Sequence, residues 1–453
     1  MIAFMTTKPA VQTTSKLAAY MAVTVLAVLF LLPFHAFITT WAGANFGYLD
    51  QFRIWKEIII FFLGFGCLVL LIRDRSLRRQ FLSSKITILI GLYVLLALLR
   101  TAYGYSEGIT NFEAAAYGAV AGLRYLIFFL VVGLVASRGT ILQRWWPFAV
   151  VAPATTVVFF GLLQQLVLDK NFLTHFGYGP DTIPAFQGVD QKTEYARAQS
   201  TLRGPNPLGA YLALVITFLT GLTYRFRTYW FSFGFLAVAA TALLFFSYSR
   251  SAWIGLVISL ATWILLVIRN EKVLKLLIIV GLATAVIVGA SVYVLRDNDY
   301  VQNTIFHTDE NSQSATSTNS VRTQAIQDGL SDVWHHPLGQ GLGSAGPAST
   351  RNSHPKIAEN YYIQVAQEVG IFGLVLYLAI TIGVGYKLLE QRSELLPQVL
   401  FATLIGISVI NLVSHAWMDD TLSLLWWGLA GIALTPIIKH KHEKQTKSEK
   451  LAR

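Results

Sequence analysis

The chain has 453 residues, 54% of them hydrophobic and only 13% charged, where soluble domains carry about 25% charged residues. That composition, with the apolar residues in unbroken runs, excludes an ordinary soluble enzyme and describes one polytopic membrane domain. The formal charge of +11 is spread along the chain, and the single cysteine, Cys67, excludes a disulfide framework and a cysteine-rich metal site.

A membrane-crossing helix needs about 20 mostly apolar residues, because lipid offers its backbone no hydrogen-bond partner. Twelve stretches meet that condition, at roughly 17–38, 54–72, 82–100, 114–136, 145–168, 206–223, 229–246, 251–268, 273–295, 361–386, 396–415 and 420–438. The expected fold is therefore all-α and polytopic, with about 12 transmembrane helices. The first stretch is too long and too poorly marked for a cleaved signal, and is expected to stay as a span.

Lys and Arg accumulate in short cytoplasmic loops. With both termini inside, the inner segments are the N-terminal tail, Arg73 to Lys85, Arg138 to Arg144, Arg225 to Arg227, Arg269 to Lys275, Lys387 to Arg392 and the basic tail 439–453, and most of the 35 Lys and Arg residues fall there. The positive balance thus reports topology in a bilayer and does not call for nucleic acid.

Two outer segments exceed the usual connection length, 169–205 and 296–358. Pro180, Pro184, Pro205 and Pro207 suit the first to an extended or turning path. In the second, which lies between spans 9 and 10, the run NSQSATSTNS is too polar to pack. Val321, Ala325, Ile326, Leu330 and Val333 then give a helical apolar stripe, predicting an amphipathic helix near 321–334 at the membrane interface. HHPLGQGLGSAGP follows as a loop, with His335 and His336 at its start.

Arginines kept on the outer face run against the topology rule. Arg197, Arg203, Arg250 and Arg322 are such residues; each meets either a headgroup or carboxylate, or a phosphate, for which the guanidinium fork is well shaped. Arg124 falls about ten residues into a span, where a charge costs at least about 2.5–3.5 kcal/mol. It is expected either to pair with a carboxylate such as Glu57 or to belong to an anion site. Glu359 and Asn360 precede the tenth span; Glu359 is either a helix cap or a general base at the water boundary, and His354 is the alternative base.

Other motifs carry less. GLGSAG at 341–346 has the spacing of a dinucleotide loop but follows no strand. Asp297-Asn298-Asp299 suits a solvated helix end better than a metal–diphosphate site, and Asp419-Asp420 suits a cap. No spacing suggests a metal site.

The ordered set TLRGPNPLGAYL, SYSRSAWIGL, SVRTQAIQDGLSDVWHHPLGQGLG and ENYYIQVAQEVGIFGLVLYL, with a long loop before the last, resembles the O-antigen ligase and O-antigen polymerase superfamily of bacterial membrane glycosyltransferases. The resemblance covers about 200–436. It implies a GT-C-like membrane fold and transfer of a glycan from undecaprenyl diphosphate to a hydroxyl of a glycan, lipid or protein acceptor, at the outer face of the cytoplasmic membrane, by inversion and without metal or other cofactor. It also implies that Arg203, Arg250 and Arg322 hold the donor diphosphate. The family's loop ends in His followed by Asn, Ser or Gln, then nine residues and Gly; this chain has Asn360 and Gly370 at that spacing, but Glu359 in the place of the His.

Ligase, polymerase and protein O-oligosaccharyltransferase activities all fit that resemblance. A transporter or flippase is the alternative of a different class; it would show related halves and charges near the midplane, whereas these polar residues collect on one face.

Overall fold

A computed structural model describes residues 15–189, 192–298, 301–302 and 318–435. The tail 439–453, residue Asp299 and most of the polar run 311–320 lie outside the described residues.

The chain is a helical membrane protein. Helix α1 (Lys16–Leu31) is capped by Ser15 and passes through a 3-10 turn at Leu32–Phe34 into α2 (His35–Phe46). A short α3 (Leu49–Arg53) leads to α4 (Trp55–Arg73), α5 (Arg75–Ser83), α6 (Lys85–Ser106), α7 (Phe112–Ala136) and α8 (Ile141–Leu166). After the long connection come α9 (Pro205–Arg225), α10 (Trp230–Phe246), α11 (Arg250–Val267) and α12 (Glu271–Val294). Beyond the second long segment lie α13 (Thr318–His335), α14 (Tyr361–Glu390), α15 (Leu395–Ile410) and α16 (Asp420–Leu434).

Among the described residues nine helices are long and apolar enough to cross a membrane, while Leu395–Ile410 and Asp420–Leu434 are shorter apolar helices. The starts of these helices are encoded locally. Asn111 accepts from the Ala114 N–H at 2.8 Å, Asn360 from Tyr362 and Ile363, and Asp419 from Leu422, each satisfying amides that have no partner inside the helix. Pro205 stands in the first turn of α9, where its missing N–H costs nothing.

The core is built around α7, α9 and α16, with Trp417, Trp426, Trp427 and Tyr125 fully buried against one another. Many lipid-side residues remain exposed, among them Phe61, Phe65, Val257 and Phe372. That is what a bilayer solvent permits, since lipid tails are as apolar as the side chains they touch.

The two long connections are more ordered than their sequences suggest. The first departs from the all-α expectation: it contains a 3-10 turn at Phe172–Phe176 and an antiparallel hairpin of β1 (Gln187–Val189) with β2 (Lys192–Arg197), bulged between Gly188 and Val189.

In the second, residues 339–346, read from sequence as an outer loop, are buried inside the bundle. Gln340 and Gly341 donate to the carbonyls of Gln367 and Glu368, and Ile371 donates to Pro337 at 2.9 Å. The segment therefore completes hydrogen bonds that α14 lacks, because α14 is broken at Gly370, whose φ is +82°. Gly118 of α7 and Gly343 meet backbone to backbone, a closeness that no side chain would allow.

Candidate functional site

A pocket of about 250 Å³ opens where the 198–207 segment, the first turns of α7 and the turn between α15 and α16 meet. Tyr117, Gln187, Arg203, Asn206, His415 and Asp419 supply its polar lining.

Arg203 is exposed, but the chain that presents it is fixed by buried polar contacts. Gln199 donates to the carbonyls of Pro184 and Ala185, Ser200 Oγ to Val157 at 2.7 Å, and Thr201 Oγ1 to Pro33 at 2.8 Å. The Ser200 N–H also donates to Gln164 Oε1 at 2.8 Å, and the residue adopts φ +51°, a conformation that this many contacts can hold.

Arg250 opens α11 at the same end of the molecule. Arg197 ties the two turns together, donating from Nε to the Ser247 carbonyl at 2.9 Å and from Nη2 to Asn206 Oδ1 at 2.6 Å. Gly209 of α9 lies against Ser249 and Ala252, so α11 and α9 start side by side. Two of the three arginines expected from sequence at a diphosphate thus stand on adjoining, mutually bonded turns.

Arg124 lies beneath the pocket floor. Its Nη2 donates to the carbonyl of Met418, a pocket residue, at 3.2 Å, and also to Asp420, while Nη1 meets Glu57 Oε1 at 2.8 Å. Lys56 joins Asp420 Oδ2 at 2.8 Å and Glu57 Oε2 at 3.2 Å. The Trp55 indole donates to His35 Nδ1 at 2.9 Å, which leaves the His35 proton on Nε2, 3.2 Å from Asp420. Of the two roles open to Arg124, the geometry displays the carboxylate pair. Two cations and two anions make the cluster neutral, which is how buried charges are tolerated.

Asp419 is the N-cap of α16 that its sequence suggests. Burial and the adjacent Asp420 push its carboxyl above the ordinary value, against the Leu422 N–H, Arg203 and Arg124, which pull it down.

Glu359 and Arg322 contact each other directly, so a residue expected at the phosphate and one expected as base or cap form one ion pair. The cap is Asn360, and Glu359 takes φ +49° just before it. His354 is exposed in the segment before α14 and does not line the pocket. Asn360 Nδ2 donates to Leu412 O and the Tyr361 N–H to Asn411 O, both at 2.9 Å. The start of α14 is therefore bonded to the turn that carries His415.

Sequence reasoning missed His415, Lys56 and His35. His415 sits alone in a short turn, and the only signal was an outward-facing histidine beside Asp419. A larger apolar cavity of about 550 Å³ at the opposite end, beside Arg144, Arg225 and Glu394, contains none of the expected site residues.

Many long apolar helices define a multi-pass membrane protein. More narrowly, residues 235–378 match the family described as O-antigen ligase, so the chain carries an O-antigen ligase family domain over those residues. The matched region includes Arg250, Arg322, Glu359 and Asn360; Arg203 and His415 lie outside it. No curated protein matches the chain.

Proposed function

We propose that the protein is a glycosyltransferase of the O-antigen ligase type, which moves a glycan from undecaprenyl diphosphate to a hydroxyl of a glycan, lipid or protein acceptor at the outer face of a bacterial cytoplasmic membrane. In this reading the twelve apolar stretches of the sequence span the bilayer, both termini are cytoplasmic, and the segment between α12 and α14 lies outside. The cation-rich turns at the opposite end, where Arg138 meets Asp74 at 2.8 Å, support that orientation.

The observation that carries the proposal is the placing of Arg203 in a pocket whose wall residue Asn206 is bonded, through Arg197, to Ser247 in the turn that leads into Arg250. Breaking the bond between the anomeric carbon and the diphosphate leaves negative charge on the phosphate oxygens. Guanidinium groups fixed in advance stabilise that charge as it develops, the task that a metal ion performs in other transferases. The acceptor attacks from the side opposite the leaving group, which inverts the anomeric centre.

Arg322 and Glu359 act together in this scheme. Their pair fastens α13 to the start of α14, and an arriving diphosphate competes with Glu359 for Arg322. Arg124 contributes through the Met418 carbonyl and its field at Asp419, with its own charge balanced by Glu57 and Asp420.

The experiment is transfer in proteoliposomes from a polyprenyl-diphosphate glycan to candidate acceptors, with Arg203→Ala and Arg250→Ala beside the wild type. Loss of transfer in both supports the clamp. Near-normal turnover in both removes it.

A further inference from the structure

Glycosyl transfer to a hydroxyl needs a group that takes the hydroxyl proton as its oxygen bonds to carbon, within about 3 Å of that oxygen. Glu359 accepts from Arg322, so its carboxylate is engaged by a guanidinium and is not a lining group of the pocket that holds Arg203. His354 is not a lining residue of the pocket that holds Arg203.

His415 lines that pocket. It is carried by the turn between α15 and α16, and that turn is held from both sides: the Tyr361 N–H bonds Asn411 O, Asn360 bonds Leu412 O, and the Met418 N–H returns to His415 O at 2.9 Å. The Nε2 atom is buried and has no hydrogen-bond partner among the described residues. A hydroxyl group brought against this nitrogen would give it a hydrogen-bond partner.

We propose that His415 is the proton acceptor of the transfer reaction, acting on the acceptor hydroxyl in the same pocket in which Arg203 holds the donor diphosphate. The inference rests on the transferase function proposed above and adds to it the residue that performs the proton step. The acceptor oxygen forms a bond to the anomeric carbon while its proton passes to the imidazole. The bond from that carbon to the diphosphate oxygen breaks, and the electron pair leaves with the diphosphate, beside Arg203. The imidazolium then returns its proton to water or to the departing phosphate, which restores the neutral ring.

The charged groups facing His415 in the pocket are Arg203 and Asp419. Burial pushes the imidazole down to about 4, so at neutral pH the ring is neutral and its lone pair is available. A bound diphosphate adds negative charge nearby and raises the proton affinity of the ring during the step in which a proton must be held.

The test uses the full chain in proteoliposomes with a polyprenyl-diphosphate glycan, a fluorescent polyprenyl diphosphate to measure donor binding, and the variants His415→Gln and His415→Ala. The expected result for His415→Gln is a loss of transfer of about 10²–10⁴-fold with donor affinity changed by less than about threefold, and for His415→Ala a partial recovery of turnover on adding free imidazole. Transfer by His415→Gln near the wild-type rate overturns the proposal. So does a loss of transfer matched by an equal loss of donor binding without imidazole rescue, which marks a purely structural histidine. A wild-type protein that binds the fluorescent lipid but transfers no glycan to any acceptor overturns the transferase function itself, a result separable from failure of the variants alone.

Discussion

Arg124 Nη1 stands 2.8 Å from Glu57 Oε1, joining the middle of α7 to the first turn of α4 in a place where both side chains are largely shielded. Removing one member of such a pair strands the other charge, at a cost of about 3–5 kcal/mol. Arg124→Ala should therefore lower the melting temperature in detergent by several degrees. Because Arg124 does not line the pocket and meets it through the Met418 carbonyl, donor affinity of the molecules that remain folded should change by less than about threefold. A large loss of affinity without a loss of stability would instead make Arg124 a direct phosphate ligand.

Arg203 is presented by a segment fixed through buried hydrogen bonds, with its side chain exposed at the pocket. Arg203→Ala is expected to reduce transfer by about 10²–10³-fold, the usual effect of removing one preorganised donor from a developing anion. Arg203→Lys should recover part of that loss, because it restores the charge without the two-pronged geometry. Initial rates at saturating and limiting donor separate turnover from binding.

The Arg322–Glu359 pair is exposed enough for water to weaken it, so its disruption should cost no more than about 1 kcal/mol of stability. Glu359→Gln is expected to lower transfer less than tenfold, about 1.4 kcal/mol in barrier. A loss as large as that of His415→Gln would return the proton step to Glu359. Comparing the two variants in one assay decides between them.

The buried imidazole of His415 also gives the fold a pH dependence. Its proton affinity in the folded chain corresponds to about 4 against an ordinary 6.5, so between those values the unfolded chain binds more protons. Stability associated with this residue is complete above 6.5 and declines as pH falls toward 4, by up to about 3 kcal/mol. Thermal unfolding measured across that window should show a shallower decline for His415→Gln than for the wild type.

Gly370 breaks α14 at φ +82°, and a methyl group there would stand 2.5 Å from the Leu338 carbonyl carbon. Backbone on that side has no room to retreat, since Pro337 accepts from Ile371. Gly370→Ala should destabilise the protein by more than the roughly 1 kcal/mol typical of an unfavourable glycine replacement. Size-exclusion profiles after graded heating would register it.

The helical architecture was readable because span hydropathy adds over some twenty residues, and the Glu57 partner of Arg124 was readable because an isolated buried charge demands one. Asn360 as a cap, in contrast, could not be told from Glu359 by composition, since both are acceptable before a helix. His415 left no pattern, because a single residue in the short connection 411–419 has no spacing to recognise. GLGSAG is the loop that its composition suggests, but its burial was not legible, for a physical reason. Its glycines, which count only as turn residues in a hydropathy reading, are what let its backbone enter a crowded interior against Gly118 and the carbonyls of α14.

That interleaving also constrains synthesis. The glycine-rich strip emerges from the ribosome before the helix whose severed ladder it repairs, so its amides must wait in water, or against α6 and α7, until Gln367 and Glu368 arrive. Assembly of the last three helices is then a closing step that seals the strip from above, and a chain stopped before residue 370 would leave both halves of the joint exposed.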